Sequence, residues 1–320
     1  LKTAKVRLTT QLSAKKLGSR NAFFAEMIRD RWLYIMVLPG VLYFIIFKYV
    51  PMYGLVMAFQ DYKPNLGFLQ SSWVGLKHFQ RFFGDPSFWI LFRNTGLLAL
   101  YNIVFFFPLP IILALLLNEV RNEKFKGIVQ TLVYIPHFFS WVIVVGIFYL
   151  LMTTEGGLIN EFLFSLIGKK FAFLQDPEWF RTMIVVQSIW KELGWGSIIF
   201  LAALAGVDLQ LYEAARMDGA GRVRQLWHIT LPAIRSTIVI LLILRLGSFL
   251  DSGFEHIFLM LNASNREVGE VFDTYVYLKG MTQAQYSFSA AVGLFKSTIG
   301  LILVLGSNWL AKRFGEEGVY

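Results

Sequence analysis

Chemistry in this chain has to come from a few polar side chains set in long apolar runs. Gln187 and Lys191 stand four positions apart in one run, so a helix puts them on one face, and Glu192 follows directly. Arg245 lies about twelve residues into another run, roughly 18 Å from its start at helical rise. Lys296 lies about eight residues into a third run at that same rise. Asn94 and Asn102 flank the start of a fourth. An ionisable or strongly polar group inside such a run is costly, which makes it a functional candidate by default. Together these groups suit a polyhydroxylated, anionic solute, since hydroxyls need hydrogen-bond partners and carboxylates need cations. Trp190 and Trp195 add flat faces on which sugar rings can stack. Plainer readings stand beside these. Lys191 and Glu192 can simply hold helices together, and Lys296 can pair with Asp251 or Glu255.

Catalysis finds no such support. The four histidines (His78, His137, His228, His256) are scattered without metal-ligand spacing, and there is no cysteine. No Ser/His/Asp arrangement stands out. No Gly-x-x-x-x-Gly-Lys-Ser/Thr phosphate loop occurs, so the chain is not itself an ATPase. The expectation is a non-enzymatic chain that binds no metal and no cofactor of its own.

The runs that carry these groups set the fold class. Apolar residues make up 56% of 320 and charged ones only 16%, too apolar for a soluble globule of this length. Six runs of about twenty residues each match a bilayer core of about 30 Å. They cover approximately 32–50 (with a continuation toward Phe59), 95–117, 128–151, 182–206, 233–250 and 288–310. The sequence therefore predicts an all-α polytopic membrane protein with six transmembrane helices, spanning residues 32–311. A basic tail (1–31) precedes it and a short tail (312–320) follows. The net charge of +9 raises nucleic acid as a partner, but Lys and Arg concentrate in the two tails and in the loops at 118–127 and 207–231. The three opposite loops are longer and carry fewer. That asymmetry places both termini and the 207–231 loop in the cytoplasm and argues for a lipid membrane, not nucleic acid, as the partner. Gly206, Gly247, Gly293 and Gly300 read as close helix-packing positions.

One stretch between the fourth and fifth runs is not apolar. From Val207 to Pro232 it reads VDLQLYEAARMDGAGRVRQLWHITLP. Asp208 is suited to cap a short helix. Gly219 and Gly221 interrupt it, a second short helix fits Arg222 to Thr230, and Pro232 suits the first turn of the next helix. The loop presents Arg216, Arg222, Arg224 and an apolar face to the aqueous phase.

This stretch resembles the EAA loop of bacterial ABC importer permeases. The family pattern is Glu-Ala-Ala, three residues, Gly, nine residues, Ile, one residue, Leu-Pro. Here Glu213-Ala214-Ala215, Gly219, Ile229 and Leu231-Pro232 keep every spacing. The resemblance implies that Glu213, Ala214, Ala215, Arg216, Asp218 and Gly219 form a cytoplasmic coupling helix that docks into a groove on an ATPase subunit. It departs at Leu226, where the family often has an aromatic residue; Trp227 beside it then fills the groove. Further likeness runs through Val74-Gly75-Leu76-Lys77-His78-Phe79, Phe88-Trp89 and Asn94-Thr95. The stretch from Gln130 to Trp141 (QTLVYIPHFFSW) is similar to the branch that handles oligosaccharides and polysaccharide fragments, uronic-acid polymers of the alginate type included. The pattern Trp190-Lys191-x-x-Gly194 resembles another recurring family feature.

The resemblance implies a transmembrane subunit of the bacterial inner membrane working by alternating access. Its implied partners are a second homologous permease subunit, two ATP-binding subunits that use ATP and Mg, and an extracytoplasmic solute-binding protein. The substrate pathway is expected at Gln187, Lys191, Arg245, Lys296 and Asn94, and three intramembrane cations lean toward an acidic oligosaccharide. A neutral-oligosaccharide permease, a secondary carrier and a membrane enzyme are the alternatives. A carrier calls for inverted repeats or an ion site, and neither is seen.

Overall fold

The computed structural model describes residues 29–251, 253–315 and 318. The expected basic tail therefore lies outside the described residues up to residue 28. The chain divides into two compact units, residues 1–56 and 57–320.

Helix α1 covers Arg31–Phe59. It is apolar on all sides, with a π-helical turn at Ile45–Tyr49, and every residue from Arg31 to Tyr53 is exposed. A helix with no polar face requires an apolar solvent, which is the bilayer.

The rest of the chain follows in order. A two-residue antiparallel ladder joins β1 (Gln60–Asp61) to β2 (Ser72–Trp73). Helix α2 covers Lys77–Phe83 and α3 covers Ser87–Glu119, with a π-helical turn at Asn102–Phe106. Helices α4 (Glu123–Phe138) and α5 (Trp141–Met152) meet at 104°. Helix α6 covers Leu158–Ile167 and α7 covers Pro177–Ala205. Helix α8 (Leu209–Met217) is followed by α9 (Arg222–Ala233) and α10 (Arg235–Gly247), the last two bent by 57°. The short helices α11 (Phe254–Met260), α12 (Arg266–Gly269) and α13 (Phe272–Tyr277) lead to α14 (Tyr286–Arg313).

Among the described residues, α1, α3, α7 and α14 are each long and apolar enough to cross a membrane, and the pairs α4–α5 and α9–α10 qualify as broken spans. The all-α polytopic architecture is as the sequence predicts, but two of the six spans differ from their expected form. The run 128–151 is not one helix. Proline at 136 opens a 3₁₀ turn, Phe139 is extended, and the Ser140 hydroxyl accepts from Ile143 N, which starts α5 in a new direction. The fifth span begins well before residue 233, as the second helix of the polar loop runs directly into it. Ile234 leaves helical dihedrals (φ −99°, ψ 6°) and is wholly buried.

Helix α7 organises the packing. Its first half gives Phe180, Met183 and Ile184 to a core with Leu98 of α3, Val145 of α5, and Ile257 and Met260 of α11. Its last turns give Phe200 and Leu204 to a second core with Ala114 and Ile234. A third core, built on Phe82, Phe88, Phe272 and Phe288, ties α2, α3 and α13 to α14. The three long connections (60–86, 153–176 and 248–285) thus gather at one end of the unit. There Tyr62 N donates to Ser287 Oγ at 2.8 Å and Tyr275 Oη donates to Asp85 Oδ2 at 2.9 Å.

Close packing rests on two of the four expected glycines and on others the sequence did not single out for packing. Gly247 and Gly300 do oppose each other, with Val304 against the first. Around Gly293 there is open space, and a side chain at Gly206 would meet only its own helix. The tightest approach is at Gly194, where a Cβ would overlap the Val133 carbonyl of α4. We expect Gly194→Ala to destabilise the purified protein by about 2 kcal/mol through forced separation of α4 and α7. Gly146→Ala, which meets nothing, should leave the unfolding temperature unchanged or slightly higher. Thermal unfolding in detergent of the two variants checks the contrast.

Candidate functional site

The site is built around the break between α4 and α5. Breaking the helix frees backbone carbonyls that water cannot reach in a bilayer. Lys191 of α7 supplies the missing donor: its Nζ lies 2.6 Å from the His137 carbonyl oxygen. The same ammonium is 3.0 Å from Glu192 Oε1 and 5.4 Å from the Trp141 ring centre. Glu192 Oε2 in turn holds His137 Nδ1 at 2.7 Å. Two residues of α7 thereby fix both the backbone and the side chain of the broken segment.

That fixing aligns two flat stacks. The His137 ring lies on Trp195 at 4.2 Å with 2° between planes, and Trp141 lies on His256 at 3.8 Å with 7°. His256 Nε2 faces Gln187 Oε1 at 2.6 Å and, since that oxygen only accepts, donates to it. Beside the stacks lies a cavity of about 310 Å³. Leu98, Asn102 and Phe106 of α3 form one wall, and Ile184, Ser188, Glu192 and Trp195 of α7 another. Trp141 and His256 close a third side, and Arg245 and Asp251 a fourth. A cavity of this size and lining, largely apolar with a few convergent polar groups, has the form expected of a ligand site.

Of the five expected pathway residues, only Arg245 lines this cavity. It is exposed, its Nε donates to Asn102 Oδ1 at 2.9 Å, and it makes no ion pair among the described residues. Gln187 is wholly buried and spent on His256 and Met260. Lys191 is buried and serves the α4–α5 break. Asn94 is buried, and its Nδ2 donates to the carbonyls of Glu267 and Glu270 at 2.9 and 3.0 Å. Lys296 is engaged by two carboxylates, Asp251 and Asp273. These four do not line this cavity, for one shared reason: each has polar partners on a neighbouring element that sequence spacing does not display. Trp190 also turns away, packing against Phe139 and Phe148. The histidines at 137 and 256 and the tryptophan at 141 are the residues that sequence reasoning missed. Their pairing is long-range, and no spacing signal marks it.

Charge follows the same geometry. Glu192 pairs with Lys191 and holds His137 Nδ1, and Asp251 shares Lys296 with Asp273. Arg245 is left as a cation held only by a neutral amide.

The polar loop folds much as its residues predict. Asp208 Oδ1 accepts from Gln210 N at 2.9 Å and caps α8. Gly219 takes φ +75°, and the bonds Gly219 N→Arg216 O (3.0 Å) and Ala220 N→Ala215 O (2.8 Å) close α8 in a Schellman turn. Gln225 Nε2 donates to the Ala220 carbonyl at 2.7 Å, and Tyr212 Oη lies 3.0 Å from Thr230 Oγ1, so α8 is anchored to α9. Glu213, Ala214, Arg216, Asp218 and Gly219 are exposed, while Ala215 and Leu226 are half-buried. Trp227 is 64% exposed, and Leu209, Leu211, Met217 and Val223 join it as an uncovered apolar surface. Arg222 lies 3.9 Å from Glu119 in an exposed pair that contributes little.

Residues 106–316 match the family described as binding-protein-dependent transport system inner membrane component. The polygalacturonan/rhamnogalacturonan transport system permease protein YteP of Bacillus subtilis (strain 168) is 59% identical over 95% of each chain. The arabinooligosaccharides transport system permease protein AraP of the same organism is 28% identical over 96% of each. Among solved structures, a chain of the bacterial alginate ABC transporter in complex with alginate pentasaccharide-bound periplasmic protein is 39% identical. It superposes with a TM-score of 0.85 over 92% of this chain and 99% of that one.

Lys296 and Arg245 should part in their structural cost. Lys296→Met leaves Asp251 and Asp273 facing each other without their shared cation. It should destabilise by about 2 kcal/mol, below the full cost of a broken buried pair because Asp251 is 61% exposed. Arg245→Gln strands no carboxylate and should stay within about 0.5 kcal/mol of the unsubstituted protein. Thermal unfolding of both in detergent reads the difference.

Proposed function

This chain belongs to the family of binding-protein-dependent transport system inner membrane components, and we propose that it carries an acidic oligosaccharide, built of uronic acids, through the inner membrane. One observation carries the choice of an acidic substrate. Of the two carboxylates on the cavity wall, Glu192 pairs with Lys191 and Asp251 shares Lys296 with Asp273, whereas Arg245 pairs with no carboxylate among the described residues. An uncompensated guanidinium in a confined, largely apolar space favours an incoming carboxylate, which it can bind in bidentate fashion. The Trp195 and Trp141 walls suit the apolar faces of sugar rings. The substrates named for two relatives, polygalacturonan/rhamnogalacturonan and alginate, are polymers containing uronic acids, which supports the same reading. The higher identity of the former favours galacturonides over alginate fragments. A neutral oligosaccharide is the second reading, favoured by the arabinooligosaccharide relative, and it leaves the charge of Arg245 without a role.

In this proposal the chain pairs with a second, homologous permease subunit. Two ATP-binding subunits dock on the cytoplasmic side, and a solute-binding protein delivers the sugar from outside. Both termini are cytoplasmic. ATP and Mg act only on the ATP-binding subunits, and no nucleic acid is involved. Helix α8 is the coupling helix: its uncovered apolar surface with Trp227 enters a groove of the ATPase, while Arg216 and Arg224 steer the approach. Closure of the ATPase pair moves α8, and the Tyr212–Thr230 and Gln225–Ala220 bonds carry that motion into α9. From α9 the chain continues through the bend at Ile234 to Arg245 on α10. Alternating access thus changes which side the cavity faces.

Two measurements on the assembled transporter in liposomes test this. Arg245→Ala should lower uptake of uronide oligomers about tenfold or more, the worth of a charge-assisted hydrogen bond, and leave neutral oligomers nearly unchanged. Equal relative rates for the two sugars would remove the acidic-substrate reading. Gly219→Asp puts a side chain at φ +75°, and Glu213→Ala alters the docking face. Both should abolish ATPase stimulation by sugar-loaded binding protein while the complex stays folded. Solute uptake by this chain alone, without ATP, would replace the importer with a secondary carrier.

A further inference from the structure

Two more arginines, one on α3 and one on α7, meet at Asn94 of α3, toward the end where the long connections gather. The buried amide of Asn94 is locked by its Nδ2, which donates to two carbonyls of the α12 region. Its Oδ1 is left to accept from Arg93 Nε and Nη2, both at 3.3 Å, and from Arg181 Nη2 at 3.0 Å. Three donors on one oxygen exceed its two lone pairs. Arg181 Nε is buried and has no hydrogen-bond partner. Neither arginine makes an ion pair among the described residues. Glu270, the nearby carboxylate, is taken by Arg266 at 3.2 Å, and Glu267 offers Arg93 only its backbone carbonyl, at 3.3 Å. Two guanidinium groups on one neutral acceptor repel each other, and an anion between them would relieve that repulsion and satisfy the open N–H groups.

Their place in the fold names the anion. Arg93 lies in the second turn of α3 and Arg181 in the second turn of α7. The next turns inward, Leu98 and Asn102 on α3 and Ile184 and Ser188 on α7, line the cavity that holds Arg245. Asn94 and Asn102 are eight positions apart, roughly 12 Å along the helix. Each presents its amide oxygen to arginine that no carboxylate neutralises.

We infer that Arg93 and Arg181 form a second anion site at the outer mouth of the cavity, which takes one carboxylate of the oligosaccharide while another reaches Arg245. The inference rests on the acidic-substrate reading above. A single uronic acid cannot span the two sites; an oligomer can. The part-buried position of Arg181, one turn before the cavity-lining Ile184, favours a sugar carboxylate over an acidic side chain of the docking solute-binding protein.

The test uses the assembled transporter in liposomes with Arg93→Gln, Arg181→Gln and Arg181→Lys. It compares a galacturonide tetramer, a galacturonide dimer and the carboxyl-reduced tetramer. Arg93→Gln and Arg181→Gln should each lower tetramer uptake about tenfold and change the dimer and the reduced tetramer less than about twofold. Arg181→Lys keeps the charge without the fork and should fall between. It also serves as the readout if a Gln variant unfolds. Equal losses for dimer and tetramer, or no loss with any sugar, would overturn the second site. Weaker binding of the solute-binding protein whichever sugar it carries would also overturn it, by giving the arginines to docking. Arg245→Gln runs alongside. If it discriminates between acidic and reduced tetramers while the outer variants do not, only the second site fails. If no variant discriminates, the acidic-substrate reading fails with it.

Discussion

The bond from Lys191 to the His137 carbonyl is the constraint on which the rest of the site depends. A span broken by 104° exposes peptide groups where no water is at hand, and each left unsatisfied costs several kcal/mol, roughly, in a bilayer interior. One lysine head satisfies that carbonyl, pairs with Glu192 and lies over Trp141. Through Glu192 it also orients His137, and through His137 the face of Trp195. Gly194, one turn further on α7, lets the backbone of α4 come into contact. The cavity wall is therefore a consequence of how the break is stabilised.

The same economy of charge runs through the cavity. Lys191, a cation inside the span, is consumed by structure, and so is Lys296. Their carboxylate partners, Glu192 and Asp251, are on the cavity wall yet already paired. What remains for a solute is arginine held by asparagine. A neutral acceptor orients a guanidinium without cancelling its charge, and it leaves part of the fork unoccupied. Had aspartate stood at Asn102, the geometry would be similar and the attraction for an anion would be lost.

The loop and the cavity are joined by the chain itself. Helix α8 is short, closed at both ends by caps, and tied to α9 by the Tyr212–Thr230 contact, while Gln225 of α9 holds the turn between them at Ala220, a construction suited to a rigid lever. Helix α10 starts at a bend whose buried Ile234 sits in the core with Phe200 and Leu204 of α7. In the proposed mechanism, displacement of α8 is delivered against α7, the helix that also carries Glu192 and Trp195. Packed cores transmit such displacements because they have few voids to absorb them.

Much of this was legible in the sequence, and the boundary is physical. Span length, the polar loop, the cap at Asp208 and the turn at Gly219 follow from local rules: bilayer thickness, hydrogen-bond satisfaction at helix ends, and the steric freedom of glycine. The sequence by itself determined an all-α membrane chain with a capped loop helix, and it marked Arg245 as a cation out of place. Only the tertiary structure decided that Pro136 breaks a span instead of bending it, and that Gln187, Lys191, Asn94 and Lys296 are bound to partners. These depend on which groups meet across elements 23 to 176 positions apart in the chain. A buried polar side chain looks the same in a sequence whether it waits for a solute or already holds a carbonyl. Its partner is fixed only when the helices pack.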